Sequence, residues 1–160
     1  MKELLKELEE VKQKIADIEK KIEEKKVETG RWKPEKGDEY WYLNGHGSPL
    51  RSIWGDNFQD VERYAISNCY QTKEECKFTR EKLKVIAELK EFEEPKNRAW
   101  NGYICHYFIY YNYNSETIAI TYNVYYKGEG IYFESKEKAK QAIDAIGEDR
   151  IKKFYLEVEE

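Results

Sequence analysis

The apolar residues near the N-terminus recur in alternating steps of four and three positions. They are Leu4, Leu8, Val11, Ile15, Ile18 and Ile22. A straight α-helix drifts off a seven-residue repeat, so this spacing predicts a left-handed coiled coil over 1–28 that joins several copies of the chain. Isoleucine at both seam positions favours three or four copies. The alternative is an amphipathic helix folded against its own domain.

A linker at 29–38 follows, punctuated by Gly30, Pro34 and Gly37. The next apolar stretches are short and separated by turn residues, which predicts strands rather than helices. We expect strands at 39–43 and 50–54, and a third strand around 64–66.

Two later segments carry helical periodicity and hydroxyl caps. Thr72 with Glu75 forms a capping box before a helix at 73–93, and Ser135 caps a helix at 136–146. The two junctions resemble each other, because an aromatic residue stands two positions before each cap. Internal duplication and the ordinary chemistry of a strand followed by a capped helix both account for this similarity.

The segments 100–113 and 117–126 predict a β-hairpin. A tight turn at 115–116 would place Tyr111 opposite Ile120 and Tyr107 opposite Val124. A slip of one residue would exchange the two faces of the hairpin. We therefore predict an α+β fold over 39–160, with an antiparallel sheet of roughly five or six strands and two main packed helices.

One face of this hairpin carries more aromatic rings than a solvated face needs. It holds the candidate binding residues His106, Phe108, Tyr110 and Tyr125. Rings on an open face receive an apolar partner patch or stack on bases. The alternative is that one of the two helices covers this face.

Composition narrows the function classes. The chain has 160 residues, with 14 Tyr, 4 Trp and a formal net charge of −4. Nucleic acid is therefore an unfavoured partner, because sequence-independent phosphate binding needs excess positive charge. No apolar run approaches the ~20 residues of a membrane span. Three cysteines without a CxxC pair favour a reduced, cytoplasmic setting.

Candidate chemistry is sparse. The two histidines and three cysteines lack the short spacings of zinc ligands. The stretch Gly45-His46-Gly47-Ser48 has neither phosphate-loop nor dinucleotide-fold spacing, and it predicts a hairpin turn. We therefore expect a protein without metal or cofactor that is not an enzyme.

A group of motifs resembles small phage and prophage accessory proteins of Gram-positive bacteria. The opening Trp32-Lys33-Pro34, followed by Gly37 and Tyr40-Trp41-Tyr42, is similar to theirs. So are the stretch from Arg63-Tyr64 to the Glu-rich helix after Thr72 and the ending from Tyr132 to Glu148. The resemblance covers most of 31–156.

This resemblance implies a biological context. Small phage accessory proteins often bind and block a host component, and defence systems are common targets. The resemblance thus implies a non-catalytic anti-defence protein in the host cytoplasm, which inhibits a CRISPR nuclease or another defence protein or captures a signalling nucleotide. A nucleic-acid-associated accessory protein is the alternative.

Overall fold

The computed structural model describes residues 2–25 and 30–159, with side chains described at 6–18 and 30–159. The chain divides into two compact units, Met1–Lys33 and Pro34–Glu160. The first unit contains α1 (Lys2–Lys25). The second contains β-hairpins and helices, so the fold is α+β, as predicted.

The strands form two small antiparallel sheets rather than one. The first sheet pairs β1 (Glu39–Leu43) with β2 (Pro49–Ile53). The second pairs β3 (His106–Asn112) with β4 (Thr117–Asn123). The expectation of a single sheet of five or six strands is therefore wrong for the described residues.

In the second unit, two helices follow each β-hairpin along the chain. They are α2 (Phe58–Ala65), α3 (Lys73–Lys90), α4 (Lys136–Ile146) and α5 (Glu148–Arg150), and α5 continues into a π-helical turn at Ile151–Tyr155. The predicted capping box at Thr72 and the cap at Ser135 are both confirmed.

The strand predicted around 64–66 is wrong. The Asn57 side chain accepts a hydrogen bond from the backbone N–H of Asp60 at 3.0 Å, and this cap starts α2. The residues Tyr64 and Ala65 are the end of that helix. Tyr64 places its ring edge-on to Trp54, with centroids 6.3 Å apart.

The second hairpin has a different register from the predicted one. Tyr111 pairs with Ile118 and Tyr107 with Tyr122, because the connection spans four residues, 113–116, instead of two. The shift is two positions along β4, so the side chains keep their predicted faces. Ile109 lies opposite Ile120 on the inner face.

The two hairpins share one plan. In each, the first strand makes a single antiparallel bridge to an aromatic residue further along the chain: Trp41 to Tyr70 and Tyr107 to Phe133. Two residues after each bridge, a Thr or Ser side chain caps a helix. The chain therefore enters the helix and does not form a third strand beside the hairpin. The similarity between the two junctions in the sequence thus corresponds to a plan that the fold uses twice.

The main core lies where α3, α4 and the second sheet meet. Its buried members include Val85 and Leu89 from α3, Ile109 from β3, and Phe133 beside it. The other members are Ala139, Ala142 and Ile146 of α4, together with Ile131 and Ile151. This core fixes the inner face of the hairpin and leaves its connecting loops to carry exposed groups.

Candidate functional site

Three exposed tyrosines lie on two neighbouring loops beside the second sheet. Tyr103 is 90% exposed, Tyr125 74% and Tyr126 77%. We call these residues the tyrosine patch. The rings of Tyr125 and Tyr126 lie 6.5 Å apart between centroids. Large exposed rings of this kind supply contact area for a partner.

Asparagine side chains fix the backbone beneath the tyrosine patch. Asn101 Oδ1 accepts a hydrogen bond from the backbone N–H of Tyr103 at 3.1 Å. Asn123 Oδ1 accepts from Tyr125 at 3.1 Å and from Tyr126 at 3.2 Å. These are Asx turns, in which the side chain replaces a backbone acceptor. The one at Asn123 follows directly on the end of β4.

The two loops approach each other at Gly102. A Cβ atom at this position would lie 3.1 Å from Cε1 of Tyr125, and the backbone has φ +80°. Glycine is therefore required here both for the left-handed conformation and for the close approach. This contact brings the loop of Tyr103 beside that of Tyr125.

The structure divides the four residues of the predicted binding face. Tyr125 belongs to the tyrosine patch, while Phe108 and Tyr110 are half-buried. His106 is completely buried, so its ring is not on the surface. Sequence reasoning did not single out Tyr103 and Tyr126. An asparagine two or three residues before each of these tyrosines is the signal that points to them.

His106 is buried by a polar and aromatic cluster. Its Nδ1 lies 2.6 Å from Glu94 Oε1, and its Nε2 lies 3.1 Å from the carbonyl oxygen of Ala99. Trp100 stacks on the ring at 3.6 Å with an interplanar angle of 7°. Arg98 Nε stands 3.3 Å from the other oxygen of Glu94. This cluster ties loop 94–105 to the start of β3.

Both ring nitrogens of His106 have a hydrogen-bond partner in this cluster. A carbonyl oxygen only accepts hydrogen bonds, so Nε2 donates to the carbonyl oxygen of Ala99. Removing one partner would leave a buried polar group unsatisfied, which is costly. The cluster therefore has a structural role in holding the loop before Tyr103.

A second buried network surrounds Asp60. Tyr40 donates its hydroxyl hydrogen to Asp60 Oδ1 at 2.6 Å, and the Gly55 N–H donates to Oδ2 at 2.8 Å. Arg63 donates to the Tyr40 oxygen at 2.8 Å. Burial alone would raise the pKa of Asp60, but these hydrogen bonds and the charge of Arg63 hold it below its ordinary value. These partners are groups of the same chain that Asp60 holds together, so Asp60 has a structural role.

The predicted coiled-coil seam of α1 exposes its apolar side chains. Leu8, Val11, Ile15 and Ile18 are each at least half exposed. The side chains of Leu4 and Ile22, which complete the predicted seam, lie outside the described residues. The helix itself is confirmed, while its assembly into a coiled coil stays a prediction.

Two further features concern metals and membranes. In the described part of the chain, no group of three or more His, Cys, Asp or Glu side chains is placed to hold a metal ion. Among the helices at 2–25 and 30–159, none is long and apolar enough to cross a lipid bilayer.

Comparisons with known proteins find no match. Neither a family model, nor a curated protein, nor a solved structure is similar to this chain. The resemblance to phage accessory proteins therefore stays a prediction from the sequence motifs.

Proposed function

We propose that the protein is a non-catalytic binding protein that engages a host protein through the tyrosine patch. The observation that carries this proposal is the exposure of Tyr103, Tyr125 and Tyr126 on adjoining loops. Tyrosine offers a large apolar face and a polar tip, and it loses little conformational entropy on binding. Such residues supply much of the binding energy at protein interfaces.

The exposed seam of α1 supports self-association as part of this function. A row of leucine, valine and isoleucine side chains at heptad spacing is buried efficiently by identical helices. Three or four copies would present three or four tyrosine patches. Linked patches raise the apparent affinity for a repeated or oligomeric target without new contacts.

The motif resemblance supports a context for this binding. A small phage accessory protein in the host cytoplasm would block a host defence protein, such as a CRISPR nuclease, by occupying its surface. Capture of a signalling nucleotide is a related form of the same role. In either form the protein holds its target and leaves it chemically unchanged.

The experiment compares two double variants in a quantitative pull-down from host cells. The first variant, Tyr103→Ser with Tyr126→Ser, removes two rings of the tyrosine patch. The control, Phe58→Ser with Tyr113→Ser, removes two rings that are 78% and 76% exposed elsewhere. We expect the first variant to lose about tenfold or more in affinity for the captured host protein, and the control to retain binding.

The captured protein must then satisfy a second requirement. Purified, it should form a complex of fixed stoichiometry with the chain and lose its own activity. Equal capture by both variants, or a target that keeps full activity in the complex, contradicts the proposal. Melting temperatures of all variants show whether the substitutions disturb the fold.

Exposed rings also support a second candidate, a nucleic-acid-associated protein. Tyrosine faces stack on unpaired bases, and Lys127 directly follows Tyr126 in the chain. The net charge of −4 disfavours it. Tight binding of single-stranded DNA or RNA that weakens steeply with salt would establish this candidate instead.

A further inference from the structure

A cavity of about 430 Å³ lies beside loop 124–130, which also carries Tyr125 and Tyr126. Phe108, Tyr132 and Tyr155 provide three aromatic walls. Ile109 and Leu156 add aliphatic surface, and Glu129 supplies a carboxylate at the lining. This volume falls in the range of small ligand pockets and is enough for one long side chain.

The tyrosine hydroxyls of this cavity are occupied by backbone groups. Tyr132 accepts a hydrogen bond from the Gly128 N–H at 3.0 Å, and Tyr155 accepts one from the Ile131 N–H at 3.2 Å. The rings of Phe108 and Tyr132 stand nearly perpendicular, at 72°, with centroids 5.9 Å apart. The rings thus contribute apolar and π surface to the cavity, while their hydroxyls hold the loop in place.

Glu129 is the charged side chain in the lining of this cavity. Glu129 is exposed, and its carboxylate has no ion-pair partner among the residues that the structure describes. Burial raises the pKa of Tyr155, while the hydrogen bond from the Ile131 backbone lowers it in part. Aromatic faces and carboxylates together attract an organic cation.

We propose that this cavity binds the guanidinium of an arginine side chain that the partner protein presents next to the tyrosine patch. Arginine fits because its planar cation stacks on aromatic faces, pairs with a carboxylate and is weakly hydrated. An uncharged apolar side chain would instead cover Glu129 without a partner, which is costly. The inference rests on the proposed function and names the chemistry of the partner.

The cavity and the tyrosine patch are joined by short connections. Gly128 to Gly130 follow Tyr126 after one intervening residue, Lys127. Trp100, two residues before Gly102, packs edge-on against Tyr132 with centroids 5.1 Å apart. The loop that carries Tyr125 and Tyr126 thus continues into the residues that line the cavity.

The test is an NMR titration of the full chain with three blocked tripeptides. They carry arginine, lysine or citrulline between two glycines, and citrulline has the shape of arginine without its charge. We expect saturable shifts of the Gly130 and Tyr132 amides with the arginine peptide. Binding of the citrulline peptide should be weaker by about tenfold or more, and the lysine peptide should lie between them.

Two variants and one control connect the shifts to the cavity. Glu129→Gln keeps the shape of the side chain and removes its charge, so it should weaken arginine binding about threefold to tenfold. Phe108→Leu removes a ring and keeps an apolar wall, and it should weaken binding similarly. Glu74→Gln, an exposed acid at the start of α3, should have no effect.

The possible outcomes separate this inference from the proposed function. Absence of shifts with arginine, equal binding of citrulline, or indifference to Glu129→Gln overturns the arginine site. If a host complex still forms and depends on Tyr103 and Tyr126, the proposed function survives that result. If arginine binds but the tyrosine variants never lose a partner, the proposed function fails while the cavity assignment stands.

Discussion

Asp60 is a buried polar residue whose role is to stabilise the fold. Asp60 is 1% exposed and accepts hydrogen bonds from Tyr40 and Gly55, and its pKa lies below the ordinary value. A carboxyl whose pKa is lower in the folded than in the unfolded state stabilises the fold above its unfolded pKa. That stability is lost as the pH falls through the folded pKa.

The variant Asp60→Asn tests this linkage. At pH 7 we expect its free energy of unfolding to be lower than that of the parent chain by about 1.5–3 kcal/mol, as for hydrogen bonds to a charged group. The difference should shrink as the pH falls below about 4, because the unfolded pKa lies near 3.9. Denaturant titrations at pH 7, 5 and 3 measure it, with the exposed Asp144→Asn as control. A pH-independent difference contradicts the assignment.

The sequence pattern could not place His106 correctly. Alternation along the hairpin assigns it to the outer face, and the pattern contains no sign that the preceding loop folds over it. Its burial depends on Glu94 and Trp100, which come from an irregular segment without periodicity. The pattern did not indicate Tyr103 for the same reason, because an Asx turn, and not a strand, fixes the position of this residue.

For the helices and strands, sequence motifs correctly predicted the features that depend on interactions between neighbouring residues. The capping box at Thr72 and the cap at Ser135 start helices where expected. The register of the second hairpin depends on the loop at 113–116, where Glu116 has φ +54°, a conformation that residue type alone did not indicate. α2 was missed because aromatic and β-branched residues near its end favour strands, although the Asn57 cap overrides them.

The predicted coiled coil of α1 belongs to this level. The double variant Ile15→Asp with Ile18→Asp should yield monomers, because charges in a buried seam cannot be desolvated cheaply. Its control, Lys6→Asp with Gln13→Asp, places the same side chains on the opposite face of the helix. Light scattering gives the mass of each. A seam variant that keeps the mass of the parent chain would exclude α1 as the assembly element.

For the whole molecule, the balance of charge decides between classes of partner. The chain is acidic, with a sequence pI near 5.5, yet it exposes several tyrosine rings. Binding dominated by such rings depends little on ionic strength, whereas binding to phosphates releases counterions. The identity of the partner could not be predicted, because an exposed aromatic surface is compatible with many targets.

Salt dependence tests this balance. Raising the salt from about 50 to about 200 mM should change the affinity for the host protein by less than about tenfold. A protein with six to ten phosphate contacts would lose about 10³–10⁵ over the same range. Surface plasmon resonance at four salt concentrations measures the slope. A loss of the larger size would favour the nucleic-acid-associated alternative.

The asparagine-held loops have a consequence for the rate at which a complex falls apart. Because Asn101 and Asn123 already restrict the backbone at Tyr103, Tyr125 and Tyr126, a partner does not have to immobilise these segments when it docks. The entropic cost of ordering these loops is already incurred during folding, so a larger part of the contact free energy contributes to binding. Such a surface is preorganised, and it favours long residence times over fast exchange.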